Sequence, residues 1–198
     1  MIAVAGIGGC RAGDSRLTLE SYADPYFPEH YAVRFDRCSY YRLSDGDAQV
    51  AAHAGYLDAA EPSLAVDQYL HLHMFWKPWP GKTPDNPTSI DATVRYAIVT
   101  DDGAAVYEGT AYVYPRKARF SDDLLLKVES ARLKRVAVVG EAPALLGDTR
   151  LVGTLRAKPD QAETLDIARY IDKTAAMESR SSASTSFGSA EALEAGRP

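Results

Sequence analysis

Cysteine is scarce in this chain: only Cys10 and Cys38 occur in 198 residues. That excludes a disulfide-rich scaffold and a zinc finger built on cysteines. No run approaches the roughly 18 apolar residues of a transmembrane helix. Clustered basic charge is missing too. The net charge is −5 and the pI is near 5.4, and neutralising phosphates requires grouped Lys and Arg, so nucleic acid is excluded as a partner. Arg132, Lys134 and Arg135 come nearest to a cluster and read as a solvated face. There is no G-x-S-x-G nucleophile elbow and no G-x-x-x-x-G-K-[ST] phosphate loop. Gly6-Ile7-Gly8-Gly9 is not followed by the helix and third glycine of a dinucleotide loop. Cys38 has no histidine at a spacing that would make it a nucleophile. The pairs Asp101-Asp102 and Asp122-Asp123 read as turn residues.

What is present suits one globular domain with appendages. Hydrophobic residues are 46% and charged residues 25%, and the length suffices for a real core. The fold class predicted is mainly β (α+β): an antiparallel β sandwich or partly open barrel with one C-terminal helix. The β part runs from about residue 31 to 158 within a domain spanning 29–178. Residues 30–43 alternate as one strand, with Tyr31, Val33 and Phe35 on one face. Ser44-Asp45-Gly46-Asp47 supplies a turn, and 49–53 returns. In 66–76 a period of two is plain. Val66, Leu70, Leu72, Met74 and Trp76 share one face, while Asp67, Tyr69, His71, His73 and Phe75 share the other. A proline-rich segment follows over 77–87.

A hairpin is predicted over 89–114, turning at Asp101-Asp102-Gly103 in a type I′ geometry. With Asp102-Gly103 as its loop, Ile98 faces Tyr107, Val94 faces Ala111, Ala92 meets Val113 and Tyr96 covers Gly109. Arg95 then pairs with Thr110 and reaches Glu108 diagonally. A strand with a bulge near Ala131 is predicted over 124–139, with helix as the alternative, and a short strand over 151–157. Asp160 and Glu163 form a capping box. Leu165, Ala168, Ile171 and Ala175 mark the buried stripe of a helix of roughly four turns. Residues 179–198 are poor in large apolar groups and are expected to be disordered.

The first ten residues, MIAVAGIGGC, are small and apolar, and the chain turns polar directly after them. Ile7-Gly8-Gly9-Cys10 resembles the lipobox of bacterial lipoproteins: an aliphatic residue, two small residues, then cysteine. The resemblance implies lipidation of Cys10, cleavage before it, and a bacterial envelope address with the chain lipid-anchored to a membrane. It divides the chain into a signal segment 1–9, a lipidated cysteine and tether 10–28, the domain, and a tail. Residues 1–9 lack the basic region that opens such signals, so the natural start is expected upstream of Met1. Two alternatives stay open. Ile2, Val4 and Ile7 could form a buried strand, or Cys10 and Cys38 could pair in an exported, unlipidated chain.

Candidate chemistry outside the anchor is thin. His71 and His73 point the same way on one strand, with Asp67 on that face. They are the only metal-like set, for zinc or another transition metal, and a full site needs three or four ligands. Trp76 and Trp79 in the proline-rich stretch, with Tyr112, offer flat aromatic faces suited to glycan or peptide. The function expected is a non-enzymatic binding or scaffold module without cofactor. It would be anchored to the membrane and meet an envelope protein or glycan. The alternatives are a metal-dependent enzyme or carrier using His71 and His73, and a small-ligand carrier with a cavity beneath Trp76 and Tyr96.

Overall fold

The computed structural model describes residues 15–24, 26–44, 47–56, 65–75, 91–141 and 146–188. Cys10, Trp76 and Trp79 lie outside them. Nine strands form one sheet: β1 (Arg16–Ser21), β2 (Glu29–Arg34), β3 (Arg37–Ser44), β4 (Asp47–Tyr56), β5 (Ala65–Met74), β6 (Ala92–Thr100), β7 (Gly103–Lys117), β8 (Leu124–Gly140) and β9 (Thr149–Pro159). One helix follows, α1 (Gln161–Gly188). The fold is mainly β with a single C-terminal helix, as the residue pattern indicated.

The sheet curls into a barrel. From β3 to β8 each strand pairs antiparallel with the next, and β8 pairs with β9. The other edge of β9 is shared. β1 takes residues 149–154 antiparallel, and β3 takes Lys158 and Pro159 in a short parallel pairing. At one end the ring therefore closes through β3 and β9. At the other, β2 lies beside β4 with no ladder pairing among the described residues. Asp36 bridges that seam, its N–H donating to the His53 carbonyl at 3.0 Å and its carboxylate accepting from Gly55 N–H at 3.3 Å. The partly open barrel, rather than the sandwich, is the form adopted.

Alternation sorts the side chains. Leu17, Leu19, Val50, Leu70, Leu72, Val94, Tyr96, Tyr107, Leu126, Leu151 and Leu155 fill the interior, each large aliphatic group contributing about 1.5–3 kcal/mol by leaving water. Gln68 also points inward, fully buried, and accepts a hydrogen bond from Tyr96 O–H. Burial pushes the Tyr96 phenol far above its ordinary range. The bulge expected near Ala131 is real. The β8–β9 register shifts between Val128 and Ala131, so both residues face inward although three apart. Gly153 sits where β9 serves both β1 and β8. Its φ of +144° is open mainly to glycine, and a Cβ there would lie 2.3 Å from the Arg16 carbonyl oxygen.

Several expectations need correction. The segment 10–28 is not a tether throughout: Arg16–Ser21 is a strand between β2 and β9, with Leu17 and Leu19 buried. The polar residues flanking that short alternation concealed it. Residues 30–43 form two strands, because Phe35 and Asp36 turn the chain from the β1 edge to β4. The hairpin loop is Asp101-Asp102, not Asp102-Gly103. Tyr96 faces Tyr107, Ile98 faces Ala105, and Arg95 faces Glu108 directly. This shift of two in the pairing preserves the face each residue occupies, so face chemistry alone could not choose between the registers. No non-glycine residue has positive φ among those described, so the type I′ turn is not used.

The helix differs in stripe and length. Thr164, Ile167, Ile171 and Thr174 are its buried residues, while Leu165, Ala168 and Ala175 are only half-buried. Ile167 and Ile171 pack on Ala51, Ala97, Val106 and Ala137, a platform of small side chains on the outer barrel face. The threonines satisfy their hydroxyls locally. Thr164 Oγ1 lies 3.0 Å from Ser39 Oγ and donates to the Asp160 carbonyl at 2.6 Å, and Thr174 bonds the Tyr170 carbonyl at 2.9 Å. Asp160 caps Glu163 N–H at 3.0 Å, but its own N–H donates to the Tyr40 carbonyl instead of completing a capping box. The helix continues through 179–188, where disorder was expected. No Gly or Pro interrupts the chain between Pro159 and Gly188. The remaining tail, 189–198, lies outside the described residues. No helix among the described residues is long and apolar enough to cross a membrane.

Candidate functional site

The polar outer face of β4 and β5 gathers the metal-ligand candidates Asp67, His71 and His73. On β5, Asp67, Tyr69, His71 and His73 point outward together, as their period of two required. The three metal-ligand candidates do not converge on one point. Each is held by a different residue of β4. His71 Nε2 lies 3.0 Å from Gln49 Oε1, His73 Nε2 lies 2.7 Å from Asp47 Oδ1, and Asp67 Oδ1 lies 3.0 Å from His53 Nε2. All three contacts are diagonal in a register that places Ala51 opposite His71 and Gln49 opposite His73, within the reach of side chains on a twisted antiparallel pair. Among the described residues no three His, Cys, Asp or Glu groups gather as a metal site.

Protonation follows from partners. Arg37 Nη2 lies 3.1 Å from His53 Nδ1. A guanidinium only donates, so Nδ1 is the acceptor and Nε2–H donates to Asp67. Burial, with Arg95 and His73 nearby, holds His71 down to about 4, so its ring is neutral and Nε2–H donates to Gln49. Tyr69 stacks between His53, with centroids 4.8 Å apart, and Tyr170 of the helix at 4.5 Å. Burial raises its phenol above the ordinary value. Helix residues complete the face: Asp172 bonds Arg95, which also pairs with Glu108 at 3.0 Å, and Glu163 lies 3.6 Å from Arg37.

Two clefts open on this face. One of about 450 Å³ is lined by His71, His73, Thr93, Arg95, Glu108 and Thr110. The other, of about 480 Å³, follows the helix beside Arg37, Tyr69, Asp160, Glu163, Asp166 and Tyr170. The Asp67–His53 pair resembles the orienting half of a nucleophilic triad, but among the described residues no serine, threonine or cysteine bonds a histidine nitrogen. The arrangement offers paired hydrogen-bonding groups for polar contacts.

The remaining candidates are dispersed. Tyr112 lies at one end of the barrel, its ring edge-on to Tyr114 at 4.9 Å. Cys38 is a free thiol packed against the core, and burial pushes it up to about 12. The ring of Tyr96, expected to border a ligand cavity, is enclosed by Gln68 and by Tyr107, whose centroid is 6.4 Å away. Sequence reasoning did not find Asp47, Gln49, Arg37 or Arg95 at this face, and left His53 unplaced. The period of two through Asp47, Gln49 and His53 on β4 was the available signal. No protein-family model, curated protein or solved structure matches this chain.

Proposed function

We propose that the protein is a bacterial envelope lipoprotein, anchored to a membrane through Cys10, whose barrel is a non-enzymatic binding or scaffold module. The reading is carried by the lipobox-like Ile7-Gly8-Gly9-Cys10 lying five positions before Ser15, a residue bonded to the barrel. Ser15 Oγ accepts from Arg156 N–H at 2.9 Å and donates to the Arg156 carbonyl at 3.2 Å, while its carbonyl accepts from Phe35 N–H at 3.1 Å. The barrel interior is occupied by Leu, Val and Tyr side chains, which favours recognition on outer surfaces over an enclosed ligand. The outer face offers paired charges, aromatic rings and open clefts, the ingredients of a polar contact with an envelope protein or glycan.

The test is lipid labelling and membrane fractionation of the wild type beside Cys10→Ser, expressed with its upstream DNA. Label and membrane association that both vanish in the variant support the reading. A wild-type chain that is soluble, unlabelled and begins at Met1 overturns it.

A further inference from the structure

The end of the barrel where β1 begins carries a second surface. The β7–β8 turn projects there, with Phe120 at its tip and 90% exposed. Arg119 stacks over the Phe120 ring at 5.3 Å. Leu43, Phe75 and Tyr114 are exposed at the same end. Tyr40 O–H donates to the Asp122 carbonyl at 2.6 Å and ties β3 to the turn. Met74 pairs with both Ala48 and Ala92, so β5 finishes at this level. Residues 114–127 hold Arg116, Lys117, Arg119 and Lys127 against Asp122 and Asp123, an excess of two positive charges in a chain of net charge −5.

The start of the sheet lies against this turn. Arg156, which bonds Ser15, reaches Asp123 with its Nε at 2.7 Å, and Asp123 is three residues from Phe120. Four residues separate Cys10 from Ser15, and five steps along the chain span at most about 17 Å. The opposite end also exposes aromatics, Tyr26 and Phe27, but residues 22–29 contain Asp24 and Glu29 and no Lys or Arg. Among the described residues, the Phe120 end combines exposed apolar groups, an excess of positive charge and Ser15.

Resting on the lipoprotein reading for its orientation, we infer that the Phe120 end of the barrel docks on an anionic bilayer surface. Phe120 enters the headgroup–acyl boundary, and Arg116 and Arg119 meet lipid phosphates. An amphipathic tip of this composition gains from burying its ring and from attraction to anionic headgroups, and neither gain requires insertion across the bilayer.

The test uses the full-length Cys10→Ser chain, which carries no lipid, in sedimentation with vesicles of phosphatidylglycerol and phosphatidylethanolamine, beside vesicles of phosphatidylcholine. Binding is expected to the anionic vesicles and to fall with salt. Phe120→Ser is expected to weaken partition by about tenfold. Arg116→Glu/Arg119→Glu is expected to remove the preference for anionic lipid, whereas Phe27→Ser at the other end changes nothing. All are surface changes, and matched melting temperatures show that the barrel is intact. No binding at millimolar lipid, or binding indifferent to both Phe120-end variants, overturns the inference. So does an envelope protein that requires Phe120 while vesicles are ignored. If lipid labelling of Cys10 fails while vesicle binding keeps this pattern, the anchor reading falls and the docking surface stands.

Discussion

Asp91 offers the sharpest test of how this barrel is balanced. It is buried just before β6, where its carboxylate accepts Val113 N–H at 2.8 Å. Burial raises its pKa from 3.8 to about 6, against the lowering effect of that bond. A carboxyl whose folded pKa is raised binds more protons folded than unfolded between pH 4 and 6. Stability therefore falls as pH rises through that window, and the whole loss is present above it. Two units correspond to at most about 3 kcal/mol. Asp91→Asn removes the charge and keeps an oxygen for Val113, although that bond loses its charge assistance. The variant should be more stable than wild type by about 1–2 kcal/mol at pH 8, a rise in Tm of roughly 3–6 °C. Near pH 4 the two should melt alike. Urea titrations at pH 4, 6 and 8 measure this directly. An Asn variant whose deficit grows from pH 4 to pH 8 would show instead that the ionised carboxylate stabilises the fold.

Other groups give separate outcomes. His71, held down to about 4 by burial and by Arg95, contributes stability above pH 6.5 that is lost as pH falls toward 4, about 1–2 kcal/mol after allowing for its partial exposure. His71→Asn should flatten that acid slope in pH-dependent melts. Gly109→Ala should cost about 3 kcal/mol or more by urea titration, because its Cβ would lie 1.8 Å from the Arg132 carbonyl oxygen, a backbone atom that cannot turn aside. Ile171→Ala should cost about 2–4 kcal/mol in the same assay, since the side chain is fully buried between helix and barrel. Zinc in tenfold excess should leave Tm unchanged, because His71 and His73 each hold a different β4 partner; a rise lost in His71→Ala/His73→Ala would show that those contacts yield to metal.

The sequence was most legible where one periodicity ran unbroken. In β5 the alternation from Val66 to Met74 assigned both faces correctly, including the outward row of Asp67, Tyr69, His71 and His73. In the hairpin, the direct Arg95–Glu108 contact was within the sequence's vocabulary, but the pairing slid by two residues because two registers sort the faces equally. The helix stripe was misread because half of it is threonine. Hydropathy penalises Thr164 and Thr174, whereas their hydroxyls are satisfied by carbonyl oxygens at 2.6 and 2.9 Å, so they pack as small branched groups. The site was the least legible part. Which residue of β4 meets each histidine depends on a register and a twist that single-strand periodicity does not contain.

Ser15 is where the motif and the fold constrain each other. From the residues alone, 10–28 looked like a spacer that would let the domain stand well away from a membrane. With Ser15 bonded to Arg156 and β1 beginning at Arg16, only four residues separate Cys10 from the bonded Ser15, about 17 Å at full extension. That is shorter than the hydrocarbon thickness of a bilayer, roughly 30 Å. A lipid on Cys10 would therefore hold the barrel against the headgroups and restrict which end faces them. Whatever meets the headgroups is then under physical constraint, because acidic residues at that end would repel an anionic surface within a Debye length of about 8 Å. The distribution of charge agrees with that demand. Arg116, Lys117 and Arg119 outnumber Asp122 and Asp123 in the turn near Ser15, while Asp24 and Glu29 lie at the far end with no Lys or Arg between residues 22 and 29. In that orientation the far loop and the histidine face would point away from the headgroups and stay open to any partner.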